Sequence, residues 1–176
     1  MDVPLPTPGL SMVALPDGSI DTRVAVKRGG DGSISSRSEL SDEILSGRPS
    51  VQLVPQSVRP GGQAANAIVQ AALLGADARL VGHCDHPAFR LVPGECISLG
   101  EPAKVYACEM AGDEFMFAVP SRDIERWSPP LPSGAIDATD AICLMNWATC
   151  HSVTDLLPLD VDTVVLDPGN LTGASR

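Results

Sequence analysis

Apolar residues in this chain fall into short runs, and their spacing moves from a period of two to a helical period and back. Residues 12–15 form an apolar run closed by the turn sequence Pro16-Asp17-Gly18, and residues 20–26 alternate as a strand with one buried face does. Gly, Ser and charge dominate from 27 to 50, which predicts a long loop with a helical turn around 39–45. Alternation resumes over 51–58. From 62 to 74 the pattern is helical: Ala64, Ala65, Ile68, Val69, Ala72 and Leu73 make a wide apolar stripe, and Gln63, Asn66 and Gln70 share a narrow polar strip. A stripe that wide predicts a helix packed on a sheet.

Further along, 78–82 reads as a strand, and 103–110 and 114–119 read as two strands joined by the hairpin signal Ala111-Gly112-Asp113. A breaker-rich linker follows at 129–134. The runs 141–146 and 163–166 are continuously apolar, the pattern of strands buried on both faces. Helical segments between such runs, 152–157 among them, predict βαβ units and a parallel sheet. Residues 1–10 are Pro-rich and read as a loose leader. The expected fold class is α/β.

At 176 residues the chain can bury one core, and with 44% hydrophobic but only 3% aromatic residues that core is aliphatic. A formal charge of −10, with Lys27 and Lys104 the only lysines, opposes binding to nucleic acid or to an anionic membrane surface. No basic segment followed by an apolar stretch opens the chain, and no apolar run approaches the roughly 20 residues that span a bilayer, so a cytoplasmic location is expected. Five cysteines (Cys84, Cys96, Cys108, Cys143, Cys150) form no Cys-x-x-Cys pair, which argues against a disulfide framework and a structural zinc. His83-Cys84-Asp85-His86 holds metal-capable groups, but consecutive residues do not converge on one ion without an unusual turn, and no metal is expected.

The segment with the most chemistry is Gly61-Gly62-Gln63-Ala64-Ala65-Asn66, ahead of a Leu74-Gly75-Ala76 stop. Glycines let backbone approach a ligand closely, and the first amides of a helix have no partners within it. Asn66, one turn in, offers a donor and an acceptor, which is what hydroxyl groups need; it equally suits a solvent-facing strip. The stretch from Gly61 to His83 resembles the N-terminal signature of the ribokinase-like (PfkB) carbohydrate kinases, in which a Gly-Gly turn and a helix Asn contact the sugar.

That resemblance implies a ribokinase-like parallel sheet flanked by helices, with a small β lid drawn from segments around 22–58 and 94–120 (22–28 and 51–58 in the first of these), as one domain over 1–176. It implies the sugar-binding portion of an enzyme that transfers phosphoryl from ATP, with Mg²⁺, to a sugar or nucleoside hydroxyl. The substrate-binding residues implied are Asp21, Gly61, Gly62 and Asn66. Asp21, in Gly18-Ser19-Ile20-Asp21, would accept from sugar hydroxyls, with Asp17 as the alternative and a plain turn carboxylate as the other reading. The family's catalytic Gly-Ala-Gly-Asp helix has no counterpart: Ala111-Gly112-Asp113 lacks the first Gly and sits between strands. No catalytic residue is therefore assigned. The fold is expected to be incomplete at its C-terminus and the isolated chain inactive; pairing of two copies through the lid is expected. A non-catalytic sugar-binding or regulatory module and a decayed gene fragment are the alternatives.

Overall fold

The computed structural model describes residues 9–28, 32–47, 51–110 and 113–169. Five strands form a wholly parallel sheet: β1 (Ser11–Leu15), β5 (Asp77–Gly82), β6 (Glu95–Ser98), β9 (Ala141–Leu144) and β10 (Thr163–Leu166), in the order β10-β9-β1-β5-β6. β1 is central, with Met12 beside Ala78 of β5 on one side and Ala141 of β9 on the other. Its alternation sorts the core. Ala14 and Cys143 face α2 (Gln63–Leu73), whereas Val13, Leu15, Ile142 and Leu144 face the opposite layer. Ala64, Ala65 and Ala71 on the helix and Ala14 and Ala78 on the sheet are all small, so the two layers pack closely.

The helix expected over 152–157 is instead a 3₁₀ turn, His151–Leu156, and the far face of the sheet is closed mainly by side chains from an irregular segment, among them Trp127, Leu131 and Ile136. Prolines at 129, 130, 132 and 158 leave little room there for a regular helix. β10 departs from expectation as well. It is an edge strand, and Val164, Val165 and Leu166 keep 40%, 47% and 48% of their surface exposed, so its apolar run does not mark burial on both faces.

A second, mixed sheet is built from two insertions into the first, one between β1 and α2 and one between β6 and β9. β2 (Ser19–Arg28) pairs antiparallel with β4 (Val51–Gly61) along its length and lies parallel to β7 (Ala103–Met110), which pairs antiparallel with β8 (Asp113–Val119). β7 and β8 pair antiparallel as predicted, and Ala111 and Gly112 lie outside the described residues. Short β3 (Ser33–Ile34) extends β2 at its far end. Val24, Val26, Ile34, Cys108 and Met110 form this sheet's own core.

Two boundaries shift. The lid segment expected from 94 begins at Ala103, because Glu95–Ser98 joins β5 in the parallel sheet with Leu80 beside Cys96. The helical turn expected at 39–45 is a nine-residue helix, α1 (Arg37–Leu45). Its start is a capping arrangement: Ser36 Oγ accepts from the Glu39 amide at 3.2 Å, and the Glu39 carboxylate accepts from the Ser35 amide at 2.7 Å. α3 (Arg122–Arg126) follows β8.

Candidate functional site

Four neighbouring strands of the parallel sheet each place a polar residue just past the carboxyl end. Asp17 follows β1, His83 follows β5, Asn146 follows β9 and Asp167 follows β10. From β1 the chain moves first to β5 on one side and later to β9 on the other, so a crevice opens between β1 and β9. Ligands of open α/β sheets bind at such a reversal of strand order.

Asp17 is the centre of the arrangement. Gly62 caps α2 without a side chain to offer, and the helix is capped instead from outside. Asp17 Oδ1 accepts from the Ala64 amide at 2.7 Å and Oδ2 from the Gln63 amide at 3.0 Å, while Asn146 Nδ2 donates to Oδ2 at 3.2 Å. Burial pushes the Asp17 carboxyl above its ordinary value of 3.8; the Ala64, Gln63 and Asn146 hydrogen bonds oppose that rise, and the charge of Asp167 adds to it. Asn146 is itself held in a left-handed conformation, φ 58°, and its Oδ1 accepts from Thr149 Oγ1 at 3.1 Å.

Glycine is required at two of these positions by close packing of three backbones. A Cβ on Gly18 would collide with the His83 carbonyl, and a Cβ on Gly62, at φ 90°, would lie 2.9 Å from the Gly18 Cα. His83 is fully buried, its Nδ1 2.7 Å from the Pro16 carbonyl. Burial holds its pKa below the ordinary imidazole value, with the Pro16 carbonyl and Asp123 acting in the other direction. With His83 turned inward and His86 Nδ1 accepting from the Ala88 amide, the His83–His86 cluster does not converge, and no metal-binding group of three is found among the described residues.

Between this floor and the lid lies a cavity of about 350 Å³, within the range of small-ligand sites. Asp17, Ser19, Gln63, Asn146 and Thr149 give it a polar side. Val105, Ala118, Val119, Pro120 and Ile124 give it an apolar wall, contributed by β7, β8 and the start of α3. Gln63 Oε1 is buried and has no hydrogen-bond partner within the protein. A buried amide oxygen left in that state is costly unless a ligand or water meets it.

Of the residues picked out in the sequence, Gly62 lines this cavity. Gly61 ends β4 beside Ser19 of β2, and the Asp21 carboxylate packs where a Gly61 side chain would stand. Asp21 Oδ1 accepts from Ser19 Oγ at 2.6 Å, so Asp21 touches the cavity through Ser19 rather than lining it. Asn66 lies one turn along α2 and is exposed; its amide donates to the Gly62 carbonyl at 3.0 Å. Sequence reading overlooked Ser19, Gln63, Asn146 and Thr149 and ranked Asp17 second. A signal for Asn146 was present: a polar residue directly after a buried apolar run stands at the carboxyl edge of a parallel sheet.

No family model and no curated relative matches the chain. Solved structures do. A ribokinase from Thermotoga maritima aligns with a TM-score of 0.61 at 16% identity, over 93% of this chain and 54% of its own. The ribokinase of Arabidopsis thaliana, solved with ribose and ATP, aligns at 0.55 and 15% identity, over 93% of this chain and 55% of its own. A nucleoside kinase of Methanocaldococcus jannaschii, an archaeal member of the ribokinase family, gives 0.54 and 13%, with coverages of 93% and 54%. The likeness is one of fold. This chain has the ribokinase-like α/β fold with its β lid, spans about half the length of those neighbours, and fits its N-terminal part.

Proposed function

We propose that the chain forms the acceptor-binding part of an ATP-dependent carbohydrate kinase, holding a sugar or nucleoside by its hydroxyl groups in the cavity between the lid and the N-terminus of α2. The observation that carries this reading is the cavity floor, where the side chains of Ser19, Gln63, Asn146 and Thr149 gather under the lid, with Gln63 Oε1 closed off from solvent and without a partner inside the protein. Donors and acceptors along one side of a small, mainly apolar cavity suit a polyol, whose ring carbons would lie against Val105 and Val119. Gly61 and Gly62 keep the backbone low at the cavity edge. Asp21, through Ser19, and Asn66, one turn along the helix, are proposed to meet hydroxyls at the two ends of the acceptor.

In this reading ATP supplies the phosphoryl group and Mg²⁺ neutralises its charge. The described residues offer no cluster of metal ligands, so neither group is assigned a residue here. Asp17, the carboxylate in the cavity floor, is already engaged by Gln63, Ala64 and Asn146 and is not placed to take a proton from a hydroxyl. The chain by itself is therefore proposed to bind the acceptor without transferring phosphoryl to it. The same observation favours, as a second reading, a binding module with no transfer step. Steady turnover of ATP with a sugar panel by the 176-residue chain would overturn both.

Titration calorimetry with a panel of pentoses, hexoses and nucleosides tests the site. Gln63→Ala, Asp21→Ala and Asn66→Ala are each expected to weaken the bound member about 10- to 100-fold, at roughly 1–3 kcal/mol per lost hydrogen-bonding group. Gln70→Ala, on the same helix strip, is the control and should change affinity less than twofold. If no member of the panel binds at millimolar concentration, the acceptor reading fails.

Phe115 and Phe117 share one face of β8 and are exposed, and a second copy of the chain is proposed to cover them. Light scattering that shows only monomer at high concentration would refute that pairing. No helix among the described residues is long and apolar enough to cross a membrane.

A further inference from the structure

Cys84 and Cys96 take no part in the acceptor cavity. Cys84 lies in the turn after β5, and Cys96 is the second residue of β6, the neighbouring edge strand. Both line a separate cavity of about 390 Å³, together with His86 and Ser98. Alternation along β6 puts Cys96 and Ser98 on one face of that strand. The turn carries Cys84 back toward them: the Asp85 amide donates to the Gly100 carbonyl at 3.0 Å and the His86 amide to the Cys84 carbonyl at 2.7 Å. There the Cys84 side chain shares one cavity with those of Cys96 and Ser98.

The two thiols differ. Cys84 is buried, whereas Cys96 is only half-buried. The neighbouring Cys84 thiol lowers the Cys96 pKa below the ordinary thiol value, while Cys96 beside it, together with burial, pushes Cys84 up. A reachable, more acidic thiol in the same cavity as a second thiol is the arrangement in which a first oxidation is resolved as a disulfide. Cys108, Cys143 and Cys150 are buried elsewhere, and burial raises the pKa of each.

We propose that Cys84 and Cys96 form a redox-active dithiol site that hydrogen peroxide converts to an intramolecular disulfide. The Cys96 thiolate attacks one peroxide oxygen, the O–O bond breaks, and the departing hydroxide takes a proton to become water, leaving a sulfenic acid on Cys96. The Cys84 sulfur then attacks the Cys96 sulfur. The S–S bond forms as the S–O bond breaks, and the Cys84 proton leaves with the hydroxide as a second water. Two thiols are oxidised by two electrons in all, and one peroxide becomes two waters. The bond ties the turn after β5 to β6. That turn begins at His83, whose carbonyl packs against Gly18 at the cavity floor, so the crosslink borders the proposed acceptor site without depending on it.

The test is peptide mapping of the folded 176-residue chain after hydrogen peroxide and rapid alkylation. The expected product is one crosslinked pair of peptides carrying Cys84 and Cys96, two hydrogens lighter, lost on treatment with dithiothreitol. Before oxidation, Cys96 should alkylate at least several-fold faster than Cys84. Cys96→Ser, at the more exposed position, should keep the fold by circular dichroism and form no intramolecular disulfide; Cys108→Ser should still form the Cys84–Cys96 bond. Over-oxidation of Cys96 to sulfinate with Cys84 left reduced, or disulfides spread over other cysteine pairs in the folded protein, would overturn the proposal.

Discussion

Replacing Asp17 with alanine is expected to lower the stability of the chain by about 2–4 kcal/mol, the sum of a lost helix cap and of buried donors left without an acceptor. The carboxylate accepts from both Gln63 and Ala64 at the start of α2 and from Asn146 at the end of β9, so its loss loosens the helix from the sheet at the point where the cavity forms. Urea denaturation gives the value, and a change under 0.5 kcal/mol would show that water satisfies these amides as well as Asp17 does. Acceptor binding should be lost with the cap.

The pH dependence has a definite sign. Because the folded-state pKa of Asp17 is raised above 3.8, the folded protein binds that proton more tightly than the unfolded chain does. The resulting stabilisation is fully present below 3.8 and fades as pH rises through the raised value. Asp17→Asn carries no such proton. The stability of the wild type minus that of Asp17→Asn should therefore decline with rising pH across this window; a difference that grows would mean that the amide hydrogen bonds outweigh desolvation.

Gly62→Val is the second large effect, at about 2–4 kcal/mol with loss of acceptor binding. Its Cβ would lie 2.9 Å from the Gly18 Cα and 3.1 Å from the Ser19 amide nitrogen, both main-chain atoms in tightly packed backbone. The φ of 90° adds strain for any side chain. Gly75 separates the two contributions. It has nearly the same φ, 91°, yet nothing stands within 4 Å of its missing Cβ, so Gly75→Ala should cost only the backbone strain, about 1 kcal/mol. Equal losses at the two positions would mean that the packing of Gly62 on Gly18 contributes nothing.

Local chemistry made much of the fold readable. The hairpin strands β7 and β8 announce themselves by alternation about a Gly-Asp turn, and β7 falls on the residues expected, 103–110. The helix 63–73 shows in its apolar stripe and its Leu74-Gly75 stop. α1 was underestimated although Ser36 and Glu39 carry its start signal, because a helix rich in charge has no apolar stripe to reveal it. β6 escaped because four residues carry too little periodicity, and its place in the parallel sheet depends on β5 beside it.

The site divides in the same way. From its sequence alone the chain determines that a glycine pair opens a helix whose free amides await a partner, since that follows from residues adjacent along the backbone. Which partner arrives was settled only by the tertiary structure. Asp17 and Asp21 lie 44 and 40 residues before Gly61, too alike for sequence distance to choose between them. β1 ends under the helix while β2 has already turned into the lid, so Asp17 reaches the amides and Asp21 meets Ser19 and Gly61. Asn146 joins them from 129 residues away because β9 pairs with β1 on the side opposite β5. Hydrophobic spacing reports which face of a strand is buried; the order of strands in a sheet depends on how separate faces pack together, and the crevice at the carboxyl ends exists only once that order is set.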